Sequence, residues 1–118
     1  MTPQQTAYEK IAFEFATALT AGDFNAAEQL LSAPAKKQWP AQTLQATYSQ
    51  MVDYFQTPPT LVEITATLED WQWPVKQAND IGWAYAAICS DSESEAVTVI
   101  VCSENGKLLI RNLEWGRP

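Results

Sequence analysis

The sequence predicts an α+β fold, with three N-terminal helices packed on a curved antiparallel sheet of about four strands. Three observations carry this expectation. Apolar residues recur at helical spacing through the first half, with a turn at Gly22 inside residues 13–31. Thr57-Pro58-Pro59 then breaks the helical pattern. Beyond it, residues 60–69 alternate apolar and polar, and Asn105-Gly106 marks a tight hairpin, since both central positions of a type I′ turn need φ > 0.

Each element has its own signal. In Thr2-Pro3-Gln4-Gln5, Thr2 can cap a helix, Pro3 suits its first position and Gln5 completes a capping box. Tyr8, Ile11, Ala12, Phe15 and Leu19 form one apolar face, and Gly22 closes the helix. Asp23 caps a second helix carrying Phe24, Ala27, Leu30 and Leu31, which Pro34 ends. Residues 35–39, with Lys36 and Lys37, read as a surface connector. Pro40 opens a third helix, whose face is Leu44, Tyr48, Met51, Val52 and Phe55.

In residues 60–69, Val62, Ile64, Ala66 and Leu68 share one face, and Glu63, Thr65, Thr67 and Glu69 the other. Residues 70–80 form a loop or strand extension holding Trp71, Trp73 and Pro74. Residues 81–90 make a second strand, with Trp83, Tyr85 and Cys89 on one face. Asp91, Glu93 and Glu95 form a solvated acidic connection to a third strand at 96–103, and the last strand spans 107–115.

With Asn105-Gly106 as the turn, Glu104 faces Lys107 and the register follows. Val97, Val99 and Val101 share a face with Leu108, Ile110, Asn112 and Glu114. Ala96, Thr98, Ile100 and Cys102 share the other with Leu109, Arg111, Leu113 and Trp115. Both faces are largely apolar. One is expected to cover the helices. The other is expected to pair with a second copy of the chain, giving a homodimer through Ile100, Cys102, Leu109, Leu113 and Trp115.

At 118 residues the chain is read as one domain spanning 1–118. A chain of this size buries roughly two thirds of its unfolded surface, so it needs no disulfide or metal staple. The net charge of −7 would repel a phosphate backbone, so nucleic acid is not expected as a partner; such acidity commonly serves solubility, and a basic protein partner is the sharper alternative. Apolar runs fall far short of the ~20 residues of a membrane span, so no membrane partner is expected. MTPQQTAYEK has neither a basic n-region nor an apolar h-region, so no signal peptide is read and a cytoplasmic location is expected.

Cys89 and Cys102 lie in apolar β-type runs and read as free buried thiols. There is no histidine and no CxxC spacing, so neither a metal site nor a cofactor is expected. The lack of histidine also removes Ser-His and Cys-His nucleophile chemistry and the commonest general base.

The element order, with FATALTAGDFNAAEQLL and the ending GKLLIRNLEWG, resembles the NTF2-like superfamily. This is the cystatin-like cone fold of nuclear transport factor 2, ketosteroid isomerase and SnoaL-type proteins. The family's first helix commonly ends in an ALxxGD-type turn, matched by Ala18-Leu19-Thr20-Ala21-Gly22-Asp23. The resemblance implies the cone fold but not the isomerase chemistry. The isomerase's oxyanion tyrosine falls on Phe15, its carboxylate base near Trp39 and its protonated acid on Thr98. The dehydratase and cyclase patterns require a histidine that the chain lacks. The resemblance therefore implies a non-catalytic binding or protein-interaction module, similar to the acidic immunity proteins that neutralise toxins. The alternative is a SnoaL-like isomerase or hydrolase using carboxylate and tyrosine groups in the cone.

Five tryptophans offer aromatic anchors or core packing. Trp39 and Tyr48 are the expected mouth of a pocket for a small apolar ligand. Glu114, placed among Val97, Val99 and Ile110, is the pocket carboxylate most suited to a raised pKa, while the plainer expectation is that it reaches solvent or pairs with Lys107 or Arg111. Trp71 and Trp73 are the expected exposed anchors for a protein partner.

Overall fold

A computed structural model describes residues 6–71 and 75–116. Four helices come first: α1 (Ala7–Thr20), α2 (Phe24–Gln29), α3 (Ala33–Gln38) and α4 (Ala41–Met51). Four strands follow: β1 (Leu61–Leu68), β2 (Asp80–Cys89), β3 (Ser94–Glu104) and β4 (Lys107–Trp115). They form one antiparallel curved sheet in the order β1-β2-β3-β4.

The described start of α1 is capped at Thr6. Thr6 is extended (φ −66°, ψ 163°), and its hydroxyl accepts from Glu9 N while the Glu9 carboxylate reaches back. The expected Thr2 cap lies outside the described residues. Tyr8, Ala12, Phe15, Ala16 and Leu19 are the buried face of α1. The helix ends in a Schellman turn at Gly22 (φ 77°), with Asp23 N donating to Ala18 O and Gly22 N to Leu19 O. Asp23 then caps α2 by accepting from Ala26 N at 3.1 Å.

Residues 33–38 are helical, which corrects the connector expected at 35–39 and raises the helix count to four. Ser32 caps α3 by accepting from Ala35 N, and Pro34 sits in the first turn. Proline there starts a helix instead of stopping one, because its missing N–H would be unsatisfied in any case. Between α2 and α3 the chain runs beside β4: Ile110 N donates to Leu30 O, and Ser32 N donates to Ile110 O, each at 2.8 Å. Pro40 offers α4 no side-chain cap, so the Glu28 carboxylate of α2 accepts from Ala41 N instead.

Two bulges correct the expected faces of the sheet. In β1 the register shifts between Ile64 and Ala66. Val62 and Ile64 lie opposite Ile88 and Ala86 on the helix side, whereas Ala66 and Leu68 fall opposite Tyr85 and Trp83 on the far side. In β4 Arg111 is the extra residue. Beyond it Leu113 and Trp115 pair with Val99 and Val97 and join the helix-side core, while Asn112 and Glu114 turn to the far side. An extra residue exchanges the faces of everything after it, because strand side chains alternate with period two.

The helix-side core contains Phe15, Leu19, Leu44, Val97, Val99, Val101 and Ile110, all fully buried. At one end of this layer Tyr8 lies on Gly82. A Cβ there would stand 2.3 Å from Tyr8 Cγ, so only glycine fits.

Candidate functional site

One turn of α4 and the residues after it form one wall of an open groove. Thr47, Gln50, Met51 and Tyr54 recur at i, i+3, i+4 and i+7, a stripe beside the buried Leu44–Tyr48 stripe. The opposite wall is Glu95 at the start of β3, with Trp115 and Gly116 at the end of β4. The groove encloses about 390 Å³. A second depression of about 330 Å³ adjoins it, lined by Ser49, Gln50 and Asp53, so Gln50 is common to both.

Glu95 reaches the helix side because it lies opposite Ile88 and shares the parity of Val97 and Val99. The Tyr54 hydroxyl donates to Glu95 Oε2 at 2.9 Å and lies 3.1 Å from Ser94 O. Next to it, Gln56 N and the Ser90 hydroxyl donate to Glu93, and the Ser90 bond above all holds the Glu93 carboxyl below the usual carboxylate range. The acidic connection is therefore not merely solvated. Glu93 and Glu95 tie the β2–β3 turn to the chain leaving α4. Trp115 packs at a 57° tilt against Trp39, the C-cap of α3, with ring centroids 5.8 Å apart. The groove thus combines a carboxylate, a phenol and an indole on an open surface.

The expected site residues are only partly brought together. Trp39 does not line the groove and touches it only through its ring contact with Trp115. Tyr48 is buried, its ring 6.0 Å from Phe24, and burial pushes its phenol pKa up. It packs in the core instead of lining the groove. Glu114 is exposed on the far side opposite Thr98, because the Arg111 bulge removes it from the valine face. Trp71 is buried, with Lys76 Nζ 5.4 Å from its ring centroid, which corrects its reading as an exposed anchor. Trp73 lies outside the described residues.

Among the described residues the buried polar groups include the side chains of Ser32, Asp80 and Thr98, the Tyr48 phenol and the indole N–H groups of Trp39, Trp71 and Trp115. Ser32 caps α3, Asp80 is bound by Arg111, and Thr98 lies opposite Tyr85 and Glu114 on the far side. Phe15 is fully buried in the helix-side core. No group of acidic or thiol ligands suited to a metal ion occurs among the described residues, and no helix among them is long and apolar enough to cross a membrane.

The sequence matches no protein-family model and no curated protein. Solved structures do match. A proposed NTF2-like transpeptidase from Campylobacter jejuni superimposes with a TM-score of 0.66 at 10% identity, over 91% of this chain and 99% of that one. An NTF2-like protein of unknown function from Cytophaga hutchinsonii gives 0.47 at 12% identity, over 97% and 94% of the two chains. Another from Burkholderia xenovorans gives 0.48 at 17%, over 93% and 83%. The fold is NTF2-like.

Proposed function

We propose that this NTF2-like domain is a non-catalytic interaction module that binds a basic protein through the groove between α4 and the β3–β4 end of the sheet. The filled cone interior supports this reading most. Phe15, Leu19, Leu44 and the β3 valines fill the space between helices and sheet, and of the buried polar side chains Ser32 caps α3 and Asp80 is bound by Arg111. Among the described residues, one open surface feature has Glu95, Tyr54 and Trp115 in its walls. Its acidic character agrees with the chain's net charge of −7, which would speed encounter with a basic partner as an immunity protein meets a basic toxin. Groove aromatics replace Trp71 as the anchors of that contact.

Affinity capture from the native host at low salt, repeated at high salt, tests the proposal. It expects a basic protein that is lost at high salt and on Glu95→Gln. A second reading is favoured by one observation, the Tyr54–Glu95 hydrogen bond: a carboxylate–tyrosine pair acting on a small molecule at the mouth of the cone. Turnover abolished by Tyr54→Phe, with no protein partner captured, would favour that reading.

We also propose that the chain forms a homodimer through the sheet face turned away from the helices. The surface differs from the one the alternation suggested. Leu113 and Trp115 face the helices, and Ile100 and Cys102 are already 1% and 2% exposed within one chain. The available apolar surface is Trp83 stacked on Tyr85 (6.4 Å, 22°), with Leu68 and Leu109 on the same face.

A further inference from the structure

We infer that Asn105 is a self-modifying position: in the folded chain the Gly106 nitrogen attacks its side chain and converts it to an isoaspartyl linkage. Four asparagines occur in the sequence, and Asn105 is the one followed by glycine. A backbone nitrogen next to a carboxamide is held close to it by the chain itself, so the reaction is intramolecular. Glycine lacks the Cβ that would crowd the approach.

The structure separates Asn105 from the other three. Asn105 and Gly106 are the exposed tip of the β3–β4 hairpin, with φ 51° and 80°, and Glu104 pairs with Lys107 just behind them. Among the described residues the Gly106 N–H and the Asn105 carboxamide have no hydrogen-bond partner. A Cβ built on Gly106 would meet nothing within 4 Å, so its nitrogen is open to base in the solvent. The nitrogen that follows each other asparagine is engaged. Ala26 N donates to Asp23 Oδ1, Asp80 N to Gln77 O and Leu113 N to Asn112 Oδ1. A hairpin tip with no tertiary contact opens at far less cost than the whole fold, which lets the nitrogen reach Asn105 Cγ in the native state.

The step needs only base and water. Base takes the Gly106 N–H proton, the nitrogen bonds to Asn105 Cγ, and the carboxamide C–N bond breaks as ammonia leaves with a proton from water. Water then opens the cyclic imide. Cleavage at the main-chain carbonyl routes the backbone through Cβ and Cγ, and cleavage at Cγ leaves aspartate. Either product adds one negative charge to the net −7. The isoaspartyl product also lengthens the main chain by one carbon inside a two-residue turn, which breaks the Glu104–Lys107 pairing. The change stops behind the tip, where Ser103 N donates to Asn79 O and Arg111 binds Asp80.

Incubation of the folded full chain in mildly alkaline buffer, followed by peptide mapping, tests the inference, with the chain in denaturant as the rate reference. Isoelectric focusing should show a species one charge more acidic that accumulates in the wild type and not in Asn105→Gly, which keeps a residue suited to positive φ. Mapping should place the change at residue 105, with isoaspartate, read by isoaspartyl methyltransferase labelling, exceeding aspartate. In the converted chain the amide signals of residues 103–108 should move while the Arg111 Nε–H and Trp115 indole signals stay. An intact Asn105 in the folded chain once the denatured reference has converted would overturn the inference. So would earlier conversion at Asn25, Asn79 or Asn112, aspartate without isoaspartate, the acidic species persisting in Asn105→Gly, or loss of the Arg111 signal on conversion.

Discussion

Arg111 on β4 grips Asp80 on β2 across the intervening strand. Its Nε donates to Asp80 Oδ1 at 2.7 Å and its Nη2 to Oδ2 at 2.8 Å, and Gln77 N donates to Oδ2 as well. Arg111 is the bulge residue of β4. The irregularity that sends Leu113 and Trp115 into the core also provides the side chain that closes the β1–β2 loop against the sheet.

Arg111→Ala should destabilise the domain strongly. Removing one member of a buried pair strands the other charge, at about 3–5 kcal/mol. The Asp80 side chain is fully buried and that of Arg111 is 21% exposed, which places the expected loss near the lower end of that range. Denaturant unfolding measures it. A loss below about 1 kcal/mol would mean that the pair behaves as a surface contact.

Gly82→Ala should cost about 1–3 kcal/mol, because the added methyl meets the ring base of Tyr8, a buried side chain that must move to admit it. The two positions should couple. Against a Tyr8→Ala background, the same substitution should lose most of its effect in a double-mutant cycle. Additive costs would show that the glycine is required for another reason.

Both cysteines are free, so denaturing unreduced protein should expose two titratable thiols. In the native state Cys89, half-buried with its sulfur 3.5 Å from Ser94 Oγ, should label before Cys102. Burial first, then Glu104 and Asp80, pushes the Cys102 thiol up. A raised folded pKa favours the protonated thiol in the native state. That contribution is complete below the unfolded value of about 8.5 and is lost as pH rises through the folded value. Stability should therefore fall in alkaline solution, and Cys102→Ala should flatten the fall. Tyr48, raised by burial, acts in the same direction at higher pH.

The far face of the sheet predicts a dimer. Sedimentation should give twice the chain mass at micromolar concentration, and Trp83→Glu should give a folded monomer, since the ring is partly exposed and stacks only on Tyr85 among the described rings. A wild-type monomer at high concentration would reject the proposed interface.

Element order, turn residues and the register next to the β3–β4 hairpin were legible because each has a local cause. Gly22, Asp23 and Asn105-Gly106 act within a few residues of themselves, and Glu104 does face Lys107. The bulges were less legible, since an extra residue is defined only by the strand opposite. Yet Ile110 and Leu113, three apart with Asn112 and Glu114 turned out, carry its trace in β4. Pro34 was ambiguous because proline both ends and begins helices; Ser32 before it decides the matter.

The site was hidden for a related reason. Trp39, Tyr48, Trp71 and Trp73 stand out in the sequence by size, whereas the groove brings together Tyr54 and Glu95, which are 41 apart in sequence. The parity of Glu95 with Val97 and Val99 was the available signal. The face expected for Glu114 depended on an unbroken β4.

Calorimetric titration of the captured, purified partner against the wild-type chain and Glu95→Gln, across a range of ionic strength, tests the binding function most directly. The groove reading predicts a one-to-one complex per protomer whose affinity falls steadily with salt. It also predicts that Glu95→Gln weakens binding by roughly tenfold or more and reduces that salt dependence. An affinity indifferent to both salt and Glu95→Gln would contradict it.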